Sequence, residues 1–129
     1  RKDPEWPITL LVHDMLDGPV KEKFDGIYSL DVLEHIQPSD EDRFIKNTIA
    51  SLRSNGSVIF GMPSLQSQVY ASAPSKAGHV NCKSAQDFKE LMEKYFYNVF
   101  IFSMNDEVLH TGFYQMSHYI YTLCCNKKS

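Results

Sequence analysis

With 129 residues, 43% of them hydrophobic, the chain has enough apolar material for the core of one domain. A formal charge of −3 and a pI near 5.9 exclude bulk electrostatic capture of nucleic acid or an anionic membrane surface. Three cysteines, Cys82 and the adjacent Cys124 and Cys125, form no CxxC pair, which excludes a disulfide scaffold or zinc knuckle and fits a reducing cytoplasm. No apolar run nears the roughly 20 residues of a membrane-spanning helix.

Residues 8–12, ITLLV, predict a first strand after Pro7, and Asp17, Gly18 and Pro19 a turn. FDGIYSL, residues 24–30, predicts a second strand ending near Ser29, after which DVLEHI turns helix-like before Pro38. Ser39 and Asp42 have capping-box spacing, and Phe44, Ile45, Ile49 and Leu52 recur at helical intervals until Gly56; a helix of about four turns is expected. The continuous run SVIFGM, residues 57–62, predicts a central strand covered on both faces.

Residues 64–82 lack periodicity and predict a long loop, uncommon in compact domains unless it serves a function. Ser84 and Asp87 open a second helix with Phe88, Leu91, Met92, Tyr95 and Phe96 on its apolar face. Residues 99–104 and 119–124 predict two strands with no crossover helix between them, hence an antiparallel pair. The aromatic residues Phe100, Phe102, Phe113, Tyr114, Tyr119 and Tyr121 are read as core and hairpin packing. The order β, β, α, β, loop, α, β, β predicts one α/β domain whose ligand lies outside the carboxyl ends of parallel strands.

VHDMLDG, FDGIYSLDVLEHI, NGSVIFGMP and the loop carrying GHVN together resemble the C-terminal part of a class I S-adenosylmethionine-dependent methyltransferase, from Ile8 onward. YSLDVLEHI carries the most specific part. The resemblance implies a Rossmann-like methyltransferase sheet, mostly parallel with a C-terminal antiparallel hairpin, in the family order 3-2-1-4-5-7-6. The five predicted strands then correspond to the family's third to seventh. It also implies an N-terminally truncated domain, because the glycines at 18, 26, 56, 61, 78 and 112 supply no D-x-G-x-G cluster and the first two βα units have no counterpart. Weak or no cofactor binding and no activity are expected of the chain alone. The gap left beside FDGIYSL predicts a homodimer through an exposed strand edge, or a shifted first strand.

Residue by residue, the resemblance assigns Asp14 to the adenine amino group, Met15 to the adenine ring, and Ser29, Leu30 and Asp31 to the sulfonium end of S-adenosylmethionine. Glu34 and His79 fall on the acceptor side, with His35 as the candidate catalytic base, since an ordinary imidazole pKa near 6.5 suits a hydroxyl or amine acceptor. Two other readings stay open. Glu34 could satisfy backbone groups near a helix end with His35 packed beneath the loop. Alternatively Asp31, Glu34 and His35, at i, i+3 and i+4, could hold a divalent cation with His79 as fourth ligand; the leading expectation is no metal. The function implied is methyl transfer to an unidentified small-molecule acceptor, with neither nucleic acid nor membrane as partner. The alternative is a degenerate methyltransferase-like module for dimerisation or interaction.

Overall fold

The computed structural model describes residues 7–129. Strand β1, Phe24–Leu30, leads through a 3₁₀ turn at Leu33–His35 into helix α1, Glu41–Ala50, and then strand β2, Leu52–Pro63. A short helix α2, Ala73–Gly78, precedes helix α3, Ala85–Glu93, and strands β3, Phe96–Asn105, β4, Val108–His110, and β5, Tyr119–Lys127, complete the chain. The five strands form one sheet in the order β1-β2-β5-β3-β4. For the first four this is the order the resemblance implies for the family's strands four to seven. Among the described residues, no helix is long and apolar enough to cross a membrane.

β1 and β2 pair in parallel, whereas β5 runs antiparallel to both β2 and β3, and β4 antiparallel to β3. The mostly parallel sheet expected from the sequence is therefore corrected. β1, β2 and β3 do point the same way, but β5 inserts between β2 and β3, so β1/β2 is the one parallel ladder. Hairpin strand β4 was not anticipated, since VLH is too short to show an alternating pattern.

The period of two along each strand sorts its residues onto two unlike faces. Ile27, Val58, Phe60, Met62, Ile120 and Cys124 face α1 and α3, joining Phe44, Ile45, Phe88, Leu91 and Met92 in one core cluster. On the opposite face Tyr28, Ile59 and Phe100 are 76%, 38% and 52% exposed, so no described element covers it. This corrects the expectation that SVIFGM is covered on both faces and that Phe100, Phe102 and Tyr121 are core. The apolar character of the run is real, but both helices pack on one side. As expected, Tyr119 is buried, Tyr114 packs against the core cluster, and Phe102 and Tyr121 pair across β3 and β5.

Residues 8–12 form no strand beyond a single bridge residue at Thr9, and Leu10, Leu11 and Val12 are exposed. The family order places that strand beside one absent from the described residues. Among the described residues β1 ends the sheet, with no shifted first strand beside it. Helix α1 is shorter than expected at both ends. Ser51 closes it by donating its hydroxyl to the Asn47 carbonyl at 3.0 Å, and Leu52 and Gly56 belong to β2. Gly56 serves close approach and not a helix end: a Cβ there would lie 2.9 Å from the Asp25 carbonyl oxygen. The Ser39–Asp42 box does not form, because Asp40 is the N-cap and Asp42 is taken by Lys46 and the Tyr95 hydroxyl. The second box does form: the Asp87 amide donates to the Ser84 hydroxyl at 3.1 Å, though α3 stops at Glu93, before Tyr95 and Phe96.

Candidate active site at the carboxyl ends of β1 and β2

The segment after β1 turns sharply because Asp31 adopts φ 54°, in the left-handed region that short polar side chains tolerate. Its amide donates to the Gly61 carbonyl at 3.1 Å and lies 3.2 Å from the Tyr119 hydroxyl. The chain then coils into the 3₁₀ turn that buries Leu33 and Glu34 and leaves His35 half outside. Glu34 is 1% exposed, and neither carboxylate oxygen has a hydrogen-bond partner. Burial raises its pKa above the ordinary value; its own amide and His35 oppose the rise, and the Asp31 charge adds to it. That amide lies near enough to favour the charged form without reaching hydrogen-bond geometry.

Residues 64–83 bring a second histidine to this point. The loop carries a 3₁₀ segment at Gln66–Tyr70 and then α2, a correction to the structureless loop expected. Its two ends meet, with a bridge between Ser64 and Lys83 and the Leu65 amide donating to the Lys83 carbonyl at 2.8 Å. The Asn81 amide donates to the Glu34 carbonyl at 3.0 Å, Asn81 Nδ2 to Glu41 Oε2 at 2.7 Å, and Lys83 Nζ pairs with the same oxygen at 2.6 Å. These contacts set His79 against His35, ring centroids 5.0 Å apart and planes at 69°. One ligand atom each from Glu34, His35 and His79 lies within 4.8 Å of the others.

Each imidazole is held from behind. His35 Nδ1 lies 2.9 Å from the Gly78 carbonyl, which can only accept, so Nδ1 carries the proton and Nε2 presents a lone pair. His79 Nδ1 is held in the same manner by Gln68 Oε1 at 2.7 Å. His35 Nε2 points toward Glu34 Oε1 at 3.9 Å, beyond hydrogen-bonding distance.

The remaining expected residues are spread around this centre. Ser29 faces α1 and shares a crevice of about 250 Å³ with Met15, Val20, Phe44 and Thr48. Leu30 faces the other way, onto the uncovered side of the sheet with Tyr28 and Ile59. Asp14 is exposed, its carboxylate accepting from the Leu16 amide at 2.8 Å, while the half-buried Met15 is tied to α1 by Asn47 Nδ2 donating to its carbonyl at 2.7 Å. The structure thus brings Glu34, His35 and His79 together, with Asp31 close enough to act on Glu34 electrostatically, and leaves Asp14 apart from them.

A sequence model described as a methyltransferase domain matches residues 6–99. The chain belongs to the methyltransferase domain family. Its fold is that of the class I methyltransferases. Among solved structures it is similar to DhpI in complex with SAH, with a TM-score of 0.67 at 12% identity over 95% of this chain. It is also similar to the N-methyltransferase NodS from Bradyrhizobium japonicum with S-adenosyl-L-homocysteine, TM-score 0.64 at 17% identity over 95% of this chain. The chain spans 57% and 56% of those two proteins. No curated protein matches it.

Within this methyltransferase-domain frame, several site residues escaped the sequence reading. Gln68 and Gly78 orient the imidazoles, Asn81 and Lys83 latch the loop, and Tyr119 abuts Asp31. Burial, followed by Asp31, pushes the Tyr119 hydroxyl pKa upward, so it stays protonated. The available signal for the latch was HVNCKS, polar residues of mixed type between a histidine and a helix cap. Cys82, within the same stretch, is a poor nucleophile, its thiol pushed up to about 11 by burial and then by Glu34.

Proposed function

We propose that the protein carrying this chain transfers a methyl group from S-adenosylmethionine to a small-molecule acceptor at the carboxyl ends of β1 and β2. What supports the reading above all is the meeting of Glu34, His35 and His79 at that end of a sheet with methyltransferase strand order. The described residues fit part of the cofactor. Asp14 and Met15 would hold adenine, and Ser29, Leu30 and Asp31 would face the sulfonium end. No glycine-rich cradle stands among them, so this chain alone binds S-adenosylmethionine weakly or not at all.

When bound, the cofactor supplies a methyl group on a positively charged sulfur. The protein's task is alignment, because the displacement needs no covalent enzyme intermediate. His35 Nε2, its lone pair presented by the Gly78 carbonyl behind the ring, takes the acceptor's proton. The acceptor so deprotonated would be held in line with the cofactor's methyl group, at the sulfonium end that Ser29, Leu30 and Asp31 would face.

Calorimetry tests this on the chain expressed with its natural upstream sequence, alongside the chain alone. Binding of S-adenosylmethionine is expected for the longer protein and at least about 100-fold weaker, roughly 2.8 kcal/mol, for this chain. No binding by the longer protein would sink the reading. Equally tight binding by both would refute the division of the site.

A second reading, an interaction module without catalysis, is favoured by the uncovered apolar face of the sheet and the free edge of β1. On either reading a homodimer would add strand pairing along Phe24–Leu30. Sedimentation at the monomer mass across a wide concentration range would remove that assembly.

A further inference from the structure

We propose that Glu34, His35 and His79 form a binding site for a first-row divalent cation of the zinc and cobalt class. Two imidazole nitrogens and one carboxylate oxygen make the donor set that such ions take with positions left open. Three independent observations converge on it. The ligand atoms cluster within 4.8 Å, drawn from two segments that only the fold brings together. Glu34 is 99% buried by its 1% exposure, yet both its oxygens lack a hydrogen-bond partner while one faces His35 Nε2 at 3.9 Å. A carboxylate desolvated to that degree without a partner is costly, and an ion between it and the imidazoles removes the cost.

The third observation concerns the far side of each ring. Both histidines have Nδ1 against an oxygen acceptor, the Gly78 carbonyl at 2.9 Å and Gln68 Oε1 at 2.7 Å. That is how proteins fix the tautomer of a metal-binding histidine, leaving Nε2 unprotonated toward the ion. Ordinary packing of a histidine demands no such agreement between two rings that also face one buried carboxylate. Donors about 2.0–2.2 Å from a shared tetrahedral ion are about 3.4 Å apart, so adjustments of about 1 Å at the half-exposed His35 and the loop-borne His79 close the site. Asp31, the fourth member of the set weighed from the sequence, lies outside the group.

The site's existence stands apart from methyl transfer. One consequence rests on that reading and replaces the His35 base in it: with His35 Nε2 committed to the ion, the ion's open positions would take the acceptor's oxygen, so the acceptor carries a hydroxyl whose proton, made easier to remove by the ion, passes to solvent. The test uses the untagged chain, stripped with chelator and dialysed against zinc, with metal content measured per chain and cobalt substitution followed by ligand-field absorption. One ion per chain is expected. His79→Ala should weaken retention by more than about 100-fold, beyond the 10–100-fold typical of losing an outer partner, and Gln68→Ala should fall within that smaller range. His79 lies on the loop, so its variant reports even if Glu34→Gln fails to fold. No stoichiometric ion, or an ion held equally by wild type and His79→Ala, overturns the proposal. Cofactor calorimetry on the longer protein is scored separately: failure there with the ion retained removes the methyl-transfer reading and the hydroxyl acceptor, not the site.

Discussion

Phe60→Ala is expected to destabilise the domain by about 3–5 kcal/mol, the largest single effect of any side-chain truncation proposed here. Phe60 is fully buried in β2, paired across to Ser29 on one side and Thr122 on the other, and its ring enters the cluster beneath α1 and α3. Nothing nearby can collapse to fill the void, because both flanking strands are fixed in register. A domain of this kind has about 5–15 kcal/mol in total, so the variant should lose about a fifth or more of its stability in urea denaturation. Phe100→Ala provides the contrast. It removes the same side chain from the uncovered face, where Phe100 is 52% exposed, and should cost below about 1 kcal/mol. A loss at Phe100 matching that at Phe60 would mean that something covers that face in solution. A loss at Phe60 under about 1 kcal/mol would contradict the core as described.

Lys83→Met is expected to cost about 2–3 kcal/mol, between the value of a surface ion pair and that of a fully buried one, and to free the loop that carries His79. The Lys83 ammonium and Glu41 carboxylate are 15% and 16% exposed, and Lys83 Nζ also donates to Asn81 Oδ1 at 2.9 Å. Removing the ammonium leaves the Glu41 charge sheltered from water with the Asn81 amide as its remaining contact. Limited proteolysis within residues 64–83 and faster amide exchange there would report the release, since local opening precedes global unfolding. Adding Glu41→Gln to the variant should restore part of the stability by removing the stranded charge. No recovery in the double variant would show that the pair does not act as a unit.

The ease with which each part could be read from sequence follows from how local its cause is. Helix α3 was legible because Ser84 caps it and Phe88, Leu91 and Met92 share one face, all within nine residues. Helix α1 was overextended because Leu52 continues its apolar period, while the event that ends it, the Ser51 hydroxyl reaching back to Asn47, leaves no periodic trace. Helix α2 was missed because it starts on the Ser72 side chain in a run of small residues with no buried face. For the site, the neighbouring Glu34 and His35 could be read directly. Their meeting with His79 depends on the Asn81 and Lys83 contacts, which join distant segments and follow from no local pattern. The strand expected at residues 8–12 had the right composition, yet it amounts to one bridge residue, Thr9.

The position of β5 bears on how the chain is made. It is the latest strand in sequence, yet it sits between β2 and β3 and supplies two of the four strand pairings. Before it arrives, the β1–β2 pair and the β3–β4 hairpin are separate pieces, each with an apolar surface and an open edge. Such long-range closure is slow, since the entropy of the intervening chain must be given up before the new contacts form. During synthesis the molecule therefore passes through an extended interval in which its sheet is in two halves. A nonsense or frameshift change that spares Glu34, His35 and His79 but removes residues 119–127 would leave those halves unjoined.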